Sequence, residues 1–128
     1  MNVNRHVKLI RILALATGFI LFLIGVRFLL QPELAATFFG IDRRAPGFAP
    51  HAAIALRDLW LGALLMVFAA LRDWRAVALW LAFGALVCFG DALIATSSSG
   101  RWVSIAFHVG SGVLCSALAA VAWRIRKP

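Results

Sequence analysis

The chain has 128 residues, of which 63% are hydrophobic and only 14% charged, and it carries a formal net charge of +8; mean hydropathy is +0.94. A soluble domain carries roughly a quarter charged residues to face water, so this composition excludes a water-covered globule and leaves lipid as the solvent for most of the surface. The length suits a single membrane domain over 1–128. The positive charge does not point to nucleic acid, because the basic residues form no stripe with interleaved aromatics and sit instead in short clusters between apolar runs.

The first predicted span runs from about Leu9 to Leu30 and is apolar or small throughout from Ile12 to Val26. Its basic flank of Arg5, Lys8 and Arg11 also resembles a secretory leader, but no Ala-x-Ala site follows at the right distance and Arg27 interrupts the end, so it reads as a retained span. In the stretch from Gln31 to Pro50, Pro32 suits a first helical position and Gly40 the residue past a helix end. Leu34, Ala35, Phe38 and Phe39 make one apolar face between them, which predicts a short helix at the outer membrane surface followed by a loop from Arg43 to Gly47.

The second span runs from about His51 to Leu71. Leu59 to Leu71 alone would reach only about 20 Å across a core about 30 Å thick, so the helix includes Ala52 to Leu56 and holds Arg57 and Asp58 near the headgroup layer. The third, from about Arg75 to Thr96, carries Asp91; the fourth, from about Trp102 to Trp123, carries His108. The turn Arg72-Asp73-Trp74-Arg75 and the loop Ser97-Ser98-Ser99-Gly100 are short, which predicts that spans two, three and four are successive antiparallel neighbours. Backbone polar groups in hydrocarbon must be satisfied within the segment, and nothing alternates with period two, so the spans are helices. The predicted fold class is all-α: an antiparallel four-helix transmembrane bundle with a short interfacial helix between spans one and two.

Orientation follows from Lys and Arg in the short loops. Arg5, Lys8, Arg11, Arg72, Arg75, Arg124, Arg126 and Lys127 fall on one side, against Arg43, Arg44 and Arg101 on the other. Both termini are therefore expected in the cytoplasm. Cys88 and Cys115 lie in apolar runs at depths expected to differ by about 10 Å, beyond the reach of a disulfide at about 7 Å. They are expected as free packing thiols.

Arg27, Arg57, Asp58, Asp91 and His108 all fall roughly 5–10 Å below the outer surface when residue offsets are multiplied by the helical rise. Ionisable groups inside a span usually face the bundle interior and pair. Small-residue stripes contain them: Gly84, Cys88, Asp91 and Ala95 in span three; Ser104, His108, Ser111, Cys115 and Ala119 in span four. Asp58, Asp91 and His108 are the candidate catalytic groups, with Arg27 and Arg57 as ligand-binding or structural partners. A structural alternative stands beside this for each. Arg27 could snorkel to the headgroups, Arg57-Asp58 could orient span two, Asp91 could cap a neighbour, and His108 could be a hydrogen-bonded core histidine. One His and two distant Asp make no metal-ligand spacing, and no cofactor is implied.

The same residues carry a resemblance. Gly25-Val26-Arg27-Phe28-Leu29-Leu30-Gln31-Pro32-Glu33, then Ala35-Ala36 and Phe39-Gly40, Arg57-Asp58 with Gly62, Gly90-Asp91-Ala92-Leu93-Ile94 and His108 resemble the motifs of the bacterial and fungal membrane family called domain of unknown function 4267. The family pattern has Lys-Gly before the Arg-Asp pair, where this chain has Ala55-Leu56. The resemblance implies a four-helix membrane protein, expected in a bacterial cytoplasmic membrane, and carries no activity. Three functional readings follow. The first is binding of a small lipophilic ligand or partner helix at the polar layer. The second is acid/base enzyme chemistry, of isomerase or cyclase type, on a lipid-like substrate. The third is proton-linked transport, which fits least because the inner half of the spans lacks ionisable groups. Membrane lipids, a small lipophilic ligand and a homo-oligomer or larger complex are the expected partners.

Overall fold

A computed structural model describes residues 3–41 and 48–126; the loop expected from Arg43 to Gly47 lies outside them. The described residues form five helices: α1 (Val3–Leu30), α2 (Pro32–Phe39), α3 (Phe48–Leu71), α4 (Trp74–Ser98) and α5 (Trp102–Ile125). All except α2 are long and apolar enough to cross a membrane. The architecture is an antiparallel four-helix bundle with a short helix between the first two spans. An even number of crossings brings the start of α1 and the end of α5 to one end, called here the terminal end, with α2 at the other.

Local chemistry fixes the boundaries. Pro32 opens α2, and Gly40 closes it with φ of 98° while its N–H reaches the Ala36 carbonyl, the left-handed cap that glycine permits. Asp73 accepts from the Ala76 N–H at 3.0 Å and starts α4. At the far end of α4, the Thr96 and Ser97 hydroxyls donate back to the Ala92 and Ile94 carbonyls.

Lateral packing departs from the order of the loops. α1 lies along α3 and α4 along α5, whereas α3 and α4, although joined by a tight turn, touch only sparsely. Spans two and three are antiparallel neighbours as expected, but their shared core is confined to the end near their turn, where Leu65 and Ala69 meet Val77 and Ala78. A turn fixes antiparallel direction, but in lipid the helices that close on each other are those whose small residues let backbones approach. Along α1 and α3 these residues are Gly18, Gly25, Ala55 and Gly62. A Cβ built on Gly62 would lie 2.5 Å from the Gly18 carbonyl oxygen and 2.7 Å from the Phe22 nitrogen.

The two helix pairs meet in two places. At the terminal end an apolar core from all four spans closes the bundle, including Ile10, Leu65, Leu81 and Leu118. At the opposite end Phe28, Ala35, Ala36, Phe39 and Ala55 join α2 to α1 and α3. Between these lies open space. Gly62→Leu is expected to separate α1 from α3 and sharply lower the thermal midpoint in detergent. Gly110→Ala, with nothing within 4 Å of the added Cβ, leaves it unchanged; size-exclusion profiles after heating measure both.

Candidate functional site

The space between the helix pairs is a partly open cavity of about 520 Å³, walled mainly by apolar side chains such as Ile24, Trp60, Leu64, Trp80 and Phe83. Its polar groups gather towards α2, where Arg57, Asp58, Asp91 and His108 reach it.

Arg57 is the centre of that group. Its Nε donates to Asp58 Oδ1 at 2.8 Å. Its Nη1 and Nη2 donate to Asp91 Oδ1 and Oδ2 at 3.3 and 3.2 Å. One guanidinium thus ties its own helix neighbour to a carboxylate on α4, end-on and bidentate, the geometry that the planar fork favours. Both carboxylates are buried, while the Arg57 side chain keeps 32% of its surface. Three of the five N–H donors of a guanidinium are engaged within the pair of contacts. Asp58 Oδ2 takes no hydrogen bond from the described residues.

His108 is placed differently. Its Nε2 lies 2.8 Å from the Phe39 carbonyl oxygen; a carbonyl only accepts, so Nε2 carries the hydrogen. No hydrogen bond among the described residues joins His108 to Asp58 or Asp91. One turn towards the helix start, the Ser104 hydroxyl donates to the Phe38 carbonyl at 2.8 Å, and Arg101 donates to the Thr37 carbonyl at 2.9 Å. The last carbonyls of any helix lack partners within it. Here three from α2 are satisfied by Arg101, which caps the start of α5, and by Ser104 and His108 within it, which draws the short helix across the gap between the pairs. Sequence reasoning took up His108 and saw Ser104 only as a small residue. The readable signal was the spacing of Arg101, Ser104 and His108 at successive helical turns.

Phe39 joins the two features. Its ring packs edge-on to His108 at 4.5 Å and to Phe28 at 5.7 Å, and the Arg57 guanidinium lies 5.9 Å from its centroid. Gly40 seats the turn that follows: a Cβ there would stand 2.7 Å from the Ala95 Cβ and 2.9 Å from the Ser104 Cβ.

Arg27 does not join the ion pair. It is exposed, reaches only the rim of the cavity, and holds its guanidinium 5.8 Å from the Phe38 ring. The structure therefore brings Arg57, Asp58 and Asp91 into direct contact, places His108 beside them under a different bond, and leaves Arg27 outside. Cys88 and Cys115 are free, as expected, and both line the cavity. Among the described residues no group of three or more His, Cys, Asp or Glu side chains could hold a metal ion. What the arrangement offers is a polar end with unspent donors and acceptors at the head of an apolar chamber.

Arg57→Ala would leave two buried carboxylates without their cation and is expected to cost about 3 kcal/mol or more. His108→Leu leaves the Phe39 carbonyl unpaired at a cost of about 1–3 kcal/mol. Denaturant unfolding of the purified protein measures both, and equal stability of Arg57→Ala and the wild type would contradict the assignment.

No curated protein and no solved structure matches the chain. The profile of one family, described as Domain of unknown function (DUF4267), matches residues 18–123, which include α2, α3, α4, parts of α1 and α5 and every residue of the ion pair, and the chain belongs to that family.

Proposed function

We propose that this protein binds a small lipophilic molecule in the cavity between its two helix pairs, with the polar end of that molecule at Arg57, Asp58 and Asp91. The observation that carries the reading is the union of a mostly apolar cavity of about 520 Å³ with a buried ion pair that keeps donors and an acceptor unspent. Cavities of several hundred Å³ with a few convergent polar groups are the usual form of a small-molecule site. The packed core at the terminal end favours a closed-bottomed binding chamber over a route through the membrane. An acid/base enzyme would draw on Asp58 and Asp91. Binding is the stronger reading because His108 spends its Nε2 on the roof helix instead of forming a dyad with either carboxylate.

We further place both termini in the cytoplasm of a bacterial cell, with α2 on the outer side, from the excess of Lys and Arg near the terminal end. A green fluorescent protein fused to the C-terminus is then expected to fluoresce and an alkaline phosphatase fusion there to be inactive; the reverse pattern inverts the topology.

Ser111 lines the cavity from α5, and Ser111→Phe would obstruct it without replacing any residue of the ion pair. Native mass spectrometry of the wild type released from detergent should retain one lipophilic molecule or take up dodecanol. Ser111→Phe should do neither while keeping its thermal midpoint. A wild type recovered bare and inert to dodecanol counts against binding.

A further inference from the structure

The terminal end of the bundle gathers positive charge that the protein itself does not answer. α1 brings Arg5, Lys8 and Arg11, the α3–α4 turn and the start of α4 bring Arg72 and Arg75, and the end of α5 brings Arg124 and Arg126. One apolar core sets them side by side. Arg11 follows Ile10, Arg72 and Arg75 stand between Ala69 and Val77, and Arg124 and Arg126 come after Ala122, and these four apolar residues are buried in a single cluster. Arg5 and Lys8 lie one to two helical turns further out along α1. Against these seven cations the described residues of that end hold one carboxylate, Asp73. Its Oδ1 already accepts from the Ala76 N–H. Ion pairs among the described residues involve none of the seven. Even the nitrogens that the fold covers, Arg11 Nε and Arg126 Nη1, meet no acceptor within it. Arginine and lysine stay charged at neutral pH, and Asp73 can subtract only one charge, so the surplus does not hang on any titrating group.

We propose that this end binds the phosphate headgroups of anionic phospholipids. Like charges crowded on one face repel each other, and the counter-charge has to come from outside the chain. A phosphodiester supplies oxygens to which a guanidinium fork donates in pairs. The flank of the same end selects a lipid over a soluble anion. Leu9 is 54% exposed, Ile12 52% and Leu71 73%, so acyl chains find apolar side chains directly beside the cations. One phospholipid meets both surfaces, whereas a soluble phosphate meets one. A zwitterionic headgroup carries its own ammonium and leaves the surplus in place. Clusters of basic residues just beyond the ends of spans are a usual form of such contacts. None of the seven cations lines the cavity, so this surface is separate from the chamber between the helix pairs.

The test is a competition on the full-length protein in neutral detergent, read by native mass spectrometry. Dioleoyl phosphatidylglycerol and dioleoyl phosphatidylcholine are present together at equal concentration, so that the chains are constant and only the headgroup differs. The phosphatidylglycerol adduct is expected to exceed the other by about tenfold or more. Arg72→Gln/Arg75→Gln/Arg124→Gln removes exposed cations whose side chains make no hydrogen bond among the described residues, and should cut that preference by about fivefold or more at an unchanged thermal midpoint. Arg5→Gln/Lys8→Gln, beyond the packed core, should act in the same direction and serves where the triple variant fails to fold. Arg72→Lys/Arg75→Lys/Arg124→Lys keeps the charge and should keep the preference. Equal adducts on the wild type, or a preference that survives both glutamine variants, overturn the assignment. Loss of preference in the lysine variant refutes its charge basis. Excess sn-glycerol 3-phosphate should leave the phosphatidylglycerol adduct in place; displacement by it overturns the lipid in favour of a soluble phosphate.

Discussion

The end of this bundle that carries α2 is held together by one cation shared between two anions. In lipid, apolar side chains gain nothing by leaving acyl chains for one another, so helices need close backbone packing or polar bonds to associate. α1 with α3 and α4 with α5 have the first. Across the cavity the pairs have the second, and Arg57 supplies it by taking Asp91 from α4 while held by Asp58 on its own helix. Adjacent helical residues do not normally face each other. Arg57 has the stem length to turn its Nε back to Asp58 and still extend its other two nitrogens outward. Asp58 thus aims the fork as well as neutralising it. A lysine has a single ammonium and no such division of labour.

The roof depends on the same centre. α2 leaves α1 at Gln31 and packs its Ala35, Ala36 and Phe39 face towards α1 and α3, yet its terminal carbonyls belong to α5 through Arg101, Ser104 and His108. It bridges the two pairs as Arg57 does, a few ångströms away. Phe39 connects the bridges, with its carbonyl on His108 and its ring under Arg57. Loss of either bridge would therefore be felt at the other, since each orders a residue that the other uses. This gives His108 a structural function in the site without proton chemistry.

The spans, the short helix and the level of the charged residues were legible because each follows from counting: hydrophobic length against bilayer thickness, Pro and Gly at helix ends, and helical rise from a predicted boundary. Facing was less legible. Gly18 and Gly25, seven residues apart, mark the side of α1 that meets α3, and Arg27 lies about 200° further round from Gly25. Level with the other charges, it stands on the stripe of α1 that lines the cavity with Ile20 and Ile24, yet it makes no ion pair among the described residues. Which helices pair laterally was legible only in the positions of small residues, since short loops fix direction alone.

A chamber open to lipid is never a vacuum. Its walls are met by whatever chain is nearest, and an acyl tail is as apolar as any ligand body that could replace it. The apolar lining therefore gives this cavity room but little choice among occupants. Selection has to arise where lipid tails have nothing to offer, at the buried carboxylates and the guanidinium beneath α2. There, a polar group that satisfies Asp58 Oδ2 or the remaining Arg57 N–H donors gains a bond that a methylene cannot make. The same constraint explains why the polar residues are concentrated at one end of the chamber. A ligand anchored there has its body directed into the space between the helix pairs, and the packed terminal end sets how far that body can extend.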